Sequence, residues 1–143
     1  MTEMLPPGST IGILGGGQLG RMLSVAAARL GLKTVIFEPG GDCPASHVAN
    51  HHIQADYTDE DALRRFADSV DVITYEFENI PTSALDILES LKPIRPGREA
   101  LRISQDRLTE KDFLTSLGLS VAPYADIPDA AALEAALATI GTP

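Results

Sequence analysis

The sequence predicts an α/β fold: a wound parallel sheet of about four strands, followed by linking helices. Three observations predict it. An apolar run passes directly into three glycines and then into a helix-spaced pattern. A second apolar, β-branched run follows that helix, which makes a βαβ unit with parallel strands. Strand patterns then alternate with helix patterns as far as Pro93, after which only helix patterns remain.

Thr10-Ile11-Gly12-Ile13-Leu14 reads as a buried strand ended by the turn Gly15-Gly16-Gly17. From Gln18 to Leu30 the apolar residues Leu19, Met22, Leu23, Ala26, Ala27 and Leu30 recur at helical spacing, and Gly31 closes the helix. Thr34-Val35-Ile36-Phe37 is the second strand. Residues 39–46 carry turn chemistry, and His52-Ile53-Gln54-Ala55-Asp56 reads as a short third strand. Thr58 with Asp61 forms a capping box that opens a helix through Ala62, Leu63, Phe66 and Ala67. Residues 70–75 form the fourth strand, and a third helix runs from Thr82 to Leu91 behind Pro81. Beyond Pro93 the strands stop. Helices are expected over Gly97–Ile103 and Asp106–Leu117, an extended stretch over Val121–Tyr124, and an alanine-rich helix from an Asp129 cap to Ile140. This divides the chain into an α/β domain over residues 1–95 and a helical region over 96–143. The ending at Thr142-Pro143, where a loop should lead onward, reads as a cut.

With 143 residues, 44% of them apolar, the chain is long enough for one well-buried core. Eleven Lys and Arg against twenty Asp and Glu give a net charge of −9, a field that repels a phosphate backbone, so nucleic acid is not an expected partner. No apolar run approaches the roughly 18–20 residues of a membrane span, so no membrane role is expected. The first seven residues lack the pattern of a signal peptide. Cys43 is the single cysteine and cannot form an internal disulfide, which fits a reducing compartment.

Gly15-Gly16-Gly17-Gln18-Leu19-Gly20 matches G-x-G-x-x-G directly after a strand and at the opening of a helix. In that context Gly15 permits the tight turn, Gly17 lets a ligand approach the backbone, and Gly20 lets helix and strand pack closely. The helix N-terminus offers N–H groups and partial positive charge to an anion. Glu38 ends the second strand 18 residues after Gly20. A dinucleotide-binding protein holds the adenosine ribose there, which argues for NAD; a solvated loop acid is the plainer reading. The absence of a second mononucleotide-binding half argues against NAD. Tyr75-Glu76-Phe77-Glu78-Asn79 follows the fourth strand. Strand C-terminal ends are where open α/β sheets bind ligands, so Glu76 is favoured as a site residue over two merely solvated acids. Which of Glu76 and Glu78 faces the cleft stays open. His47, His51 and His52 with Cys43 match no zinc-ligand spacing and read as surface loop, and Cys43 has no base nearby in sequence. Arg98, Arg102, Arg107 and Lys111 read either as a solvated basic face or as partners of a nucleotide phosphate.

The segment from Gly12 to Leu23, GILGGGQLGRML, resembles the start of the ATP-grasp 5-(carboxyamino)imidazole ribonucleotide synthetases. Three further segments agree in order and spacing: Phe37-Glu38-Pro39 with Cys43-Pro44-Ala45, Tyr75-Glu76-Phe77-Glu78-Asn79, and Gln105-Asp106-Arg107-Leu108-Thr109-Glu110-Lys111. The resemblance spans nearly all of this chain and less than half of a usual family member. It implies a pre-ATP-grasp, Rossmann-like fold in a cytoplasmic, homodimeric ligase. That enzyme uses ATP, Mg²⁺ and bicarbonate to carboxylate 5-aminoimidazole ribonucleotide in purine biosynthesis, with carboxyphosphate as the intermediate. It further implies that Gly17, Gln18 and Leu19 contact the ribonucleotide through the backbone, that Glu76 meets it from the neighbouring strand end, and that Arg107 contacts ATP. The family's ATP-grasp lysine, glycine-rich phosphate loop and metal-binding acids all lie beyond Pro143, so these 143 residues alone are expected to be inactive, and no catalytic or metal residue is assigned. The rivals are another ATP-grasp ligase, such as the formate-dependent glycinamide ribonucleotide transformylase or a biotin carboxylase, and the NAD-binding Rossmann module of an oxidoreductase.

Overall fold

A computed structural model describes residues 4–141, so the expectations attached to Met1–Glu3 and to the Thr142-Pro143 ending lie outside the described residues. The chain forms two compact units, residues 1–101 and 102–143.

The first unit is built on four parallel strands: β1 (Thr10–Leu14), β2 (Lys33–Phe37), β3 (His51–Ile53) and β4 (Val72–Tyr75). Their spatial order is β3-β2-β1-β4. The chain therefore moves outward from β1 through β2 to β3 and then returns to the other side of β1. Ile11 pairs with both Thr34 and Val72, and Leu14 with both Phe37 and Tyr75. This reversal makes the C-terminal ends of β1 and β4 the switch point at which such sheets open a crevice. The sheet also continues past β4. Ile94 bridges Ile73 in parallel, through Ile73 N–H to the Pro93 carbonyl and Arg95 N–H to the Ile73 carbonyl, each at 2.9 Å. Strand pairing thus extends beyond Pro93, where the sequence pattern ended it. The third strand is shorter than its pattern and starts one residue earlier, and the fourth starts at Val72, directly after Asp71 N–H bonds the Thr10 carbonyl.

Successive strand residues point to opposite faces of the sheet. Leu14, Val35, Phe37 and Ile73 face one layer, formed by α2 (Glu60–Asp68), α3 (Thr82–Glu89) and α4 (Arg98–Ser104), and pack there against Leu63, Phe66, Leu85, Leu88 and Leu101. Ile13 and Ile36 face the opposite side, with Cys43 and Ala45. On that side lies α1 (Gln18–Arg29), which buries Gly20, Ser24 and Ala27. Of the apolar residues that carry the helical spacing, Ala27 alone is among them. Leu19, Met22 and Leu23 are 57%, 65% and 41% exposed. The reason is steric: a Cβ on Gly20 would stand 2.8 Å from the Gly15 carbonyl oxygen, so α1 approaches the sheet along its smallest residues. Leu19, Met22, Leu23 and Ala26 instead line a shallow groove with Tyr75 and Glu76.

The cap of α2 also differs from expectation. Asp59 accepts from Ala62 N–H at 2.9 Å, while Thr58 donates its N–H and hydroxyl to Asp56 Oδ1. An Asp-led turn at 56 places Thr58 one residue too early to cap.

The second unit holds α5 (Arg107–Ser116), capped by Asp106 on Thr109 N–H, and α6 (Ala130–Ile140), capped by Asp129 on Ala132 N–H. Neither helix buries a residue. Tyr124 fixes the intervening stretch, donating its hydroxyl to Asp112 while Lys111 Nζ lies 5.2 Å from its ring centre.

Candidate functional site

The turn after β1 is built residue by residue from its backbone N–H groups. Gly15 takes φ +104, which an L side chain rarely adopts, and its N–H bonds the Phe37 carbonyl. Gly16 N–H donates to Glu38 Oε2 at 3.0 Å. Gly17 N–H donates to Glu76 Oε1 at 2.6 Å and Gly20 N–H to Glu76 Oε2 at 2.8 Å. The two acids that end β2 and β4 therefore both turn inward onto the glycine turn, and Glu76 caps α1, whose first N–H groups have no partner within the helix. The helix dipole favours a carboxylate at this end.

Glu38 is satisfied on both oxygens. Its Oε1 accepts from Gly40 N–H at 3.1 Å, and its Oε2 accepts from the Tyr57 hydroxyl at 3.2 Å as well as from Gly16. Burial and the neighbouring Glu38 carboxylate raise the Tyr57 phenol well above its ordinary value, so it stays a donor. Behind the acids, Tyr57 stacks at a tilt with Phe37 and Phe77, ring centres 5.6 and 6.1 Å apart. The crevice of about 390 Å³ in front is lined by Gly16, Gly17, Glu38, Cys43, Glu76 and Phe77 among others.

Gly17, Gln18, Leu19 and Glu76 come together at this one place. Gln18 and Leu19 open α1 as exposed residues whose N–H groups precede the helical ladder. The position of Glu76 resolves the ambiguity with Glu78: Glu76 is half-buried against the turn and Glu78 is exposed. The reason for glycine at 17 is not the one expected. Its φ is −74, and a Cβ there would stand 2.7 Å from Glu76 Oε1. Glycine at 17 makes room for this protein's own carboxylate. Arg107 belongs to the second unit, at the first turn of α5, where it pairs with Glu110 at 2.6 Å.

Other candidates are used locally. Arg98 pairs with Asp86, and Lys111 donates to the Ala122 carbonyl. His47 Nε2 lies 2.5 Å from Asp42 Oδ1, His52 Nε2 lies 3.1 Å from the Glu38 carbonyl, and Cys43 is buried beneath Gly16. Among the described residues no group of three His, Cys, Asp or Glu side chains could hold a metal ion. Tyr57 is the residue that sequence reasoning missed. Its one signal is an aromatic residue in a polar turn, which does not reveal that it bonds an acid 19 positions away.

Residues 8–105 match the model of the ribonucleotide synthetase preATP-grasp domain. The N5-carboxyaminoimidazole ribonucleotide synthase of Brucella melitensis is 55% identical over 137 residues, 96% of this chain and 38% of the relative. That of Staphylococcus aureus is 45% identical, over 95% of this chain and 36% of the relative. Among solved structures, the ADP complex of an N5-carboxyaminoimidazole ribonucleotide synthetase superposes with a TM-score of 0.90 at 40% identity, covering 100% of this chain and 38% of that one. The Aspergillus clavatus synthase in complex with ADP and 5-aminoimidazole ribonucleotide gives 0.82 at 31% identity, covering 95% and 37%. The chain spans little more than a third of the length of these relatives.

Proposed function

The chain belongs to the ribonucleotide synthetase preATP-grasp domain family, and from that premise we propose that it is the N-terminal, ribonucleotide-binding part of an ATP-dependent carbon–nitrogen ligase. The reaction is carboxylation of 5-aminoimidazole ribonucleotide by bicarbonate to N5-carboxyaminoimidazole ribonucleotide, in purine biosynthesis. The observation that carries this reading is the convergence of Gln18, Leu19 and Glu76 at the switch point, in a chain 55% identical to a protein of that name.

In this reading the N–H groups of Gln18 and Leu19 contact the ribonucleotide. Glu76 meets its hydroxyl or amine donors, because each carboxylate oxygen that accepts one N–H keeps a second lone pair. Arg107 contacts ATP, and Mg²⁺ would supply positive charge to the ATP phosphates. The domain over residues 1–95 holds the ribonucleotide, and the region over 96–143 begins the ATP-grasp part. The parent enzyme is a cytoplasmic homodimer. No helix of the described residues is long and apolar enough to cross a membrane.

Titration calorimetry of the 143-residue chain with 5-aminoimidazole ribonucleotide and with NADH tests the reading. Saturable binding of the ribonucleotide is expected, weakened about ten- to a hundred-fold in Glu76→Ala, the loss that one charge-assisted hydrogen bond of roughly 1.5–3 kcal/mol produces. Binding of NADH without binding of the ribonucleotide would overturn it in favour of an oxidoreductase module.

A further inference from the structure

We propose that Glu76 is a specificity-determining residue that closes the glycine turn to phosphate and pyrophosphate groups, so that this βαβ unit rejects dinucleotides despite carrying their fingerprint. In a dinucleotide-binding protein the N–H groups between such a turn and its helix stay open and receive the pyrophosphate. Here a charged acceptor already holds two of them, Gly17 N–H at 2.6 Å and Gly20 N–H at 2.8 Å. A third, Gly16 N–H, is held by Glu38. The carboxylate oxygen lies 2.7 Å from where a Cβ of Gly17 would stand, so the carboxylate itself fills the space that glycine leaves at the turn. An anion at this turn must both displace a bonded carboxylate and approach its charge.

The acid at the ribose position of a dinucleotide protein is likewise drawn onto the turn. Both oxygens of Glu38 are engaged by Gly16, Gly40 and Tyr57. The turn therefore offers ligands an acceptor in place of a donor. It selects a group bearing hydroxyl or amine hydrogens at Glu76 and leaves the Gln18 and Leu19 N–H groups, at the rim, for an anionic one.

This goes beyond the ribonucleotide reading and rests on the turn's own hydrogen bonds, so the two fail separately. The test titrates the 143-residue chain with inorganic pyrophosphate, followed by amide NMR. The wild-type chain should show no saturable shift at Gly17 or Gly20. Glu76→Ala frees both N–H groups and should bind pyrophosphate at least about tenfold more tightly than wild type, with shifts centred on those two amides. Glu76→Gln, which keeps the size and one acceptor oxygen, should fall between them and serves where Glu76→Ala does not fold. Wild-type shifts at Gly17 and Gly20 on pyrophosphate addition would overturn the proposal, and so would a folded variant with no gain. A wild-type chain that ignores 5-aminoimidazole ribonucleotide would instead defeat the ribonucleotide reading and leave this result standing.

Discussion

At Gly17 any added side chain points onto the Glu76 carboxylate, in a backbone conformation of φ −74 that an L residue adopts without strain. Gly17→Val should therefore spare the sheet and break the cap. The expected result is an unchanged far-ultraviolet circular dichroism spectrum with exchange of the Gly20 amide accelerated at least about tenfold, since that N–H loses a charged acceptor. A Gly20 amide as protected as in wild type would remove Glu76 from the cap. The sequence shows which residues meet here better than it shows why. Gly15 to Gly20 is a contiguous motif, and Glu76 is marked by its place after a strand. Their bonding was not legible, because 59 positions separate Gly17 from Glu76, and only the parallel pairing of β1 with β4 brings them together. The role of Tyr57 is illegible in the sequence for the same physical reason, because its partner is defined by tertiary structure alone.

Among the elements, α2 separates two neighbouring residues by their function. Asp59→Ala removes the oxygen that accepts Ala62 N–H and should lower stability by about 1 kcal/mol. Thr58→Ala removes only a hydroxyl bond to Asp56 within the exposed turn and should cost less. Urea unfolding of the two variants checks the order, and equal losses would return the cap to Thr58. Strands β1 and β2 and the bodies of the helices were legible because periodicity and glycine punctuation are local. The packing face of α1 was not. Helical spacing marks apolar residues wherever they lie, whereas contact with the sheet is chosen by how closely the backbone can approach, and Gly20, Ser24 and Ala27 allow the closest approach.

Across the whole molecule, burial is unevenly divided. The first unit holds two hydrophobic clusters on the faces of one sheet, whereas α5 and α6 of the second bury no residue. Amides of α5 and α6 should exchange with solvent orders of magnitude faster than those of β1 and β2, because opening them exposes little apolar surface. Equal protection throughout, measured by exchange mass spectrometry, would contradict this. The pairing of β1 with β4 also carries a consequence for biosynthesis. At about 5–20 residues per second, the glycine turn leaves the ribosome several seconds before the acid that caps it. Through that interval its amides face only water, and the rim of the crevice is unset. It takes its final form when the last-made of the four strands docks beside the first. A nascent chain stalled before residue 76 would hold the motif without the cap, and would for that time be open to the anions that the finished protein turns away.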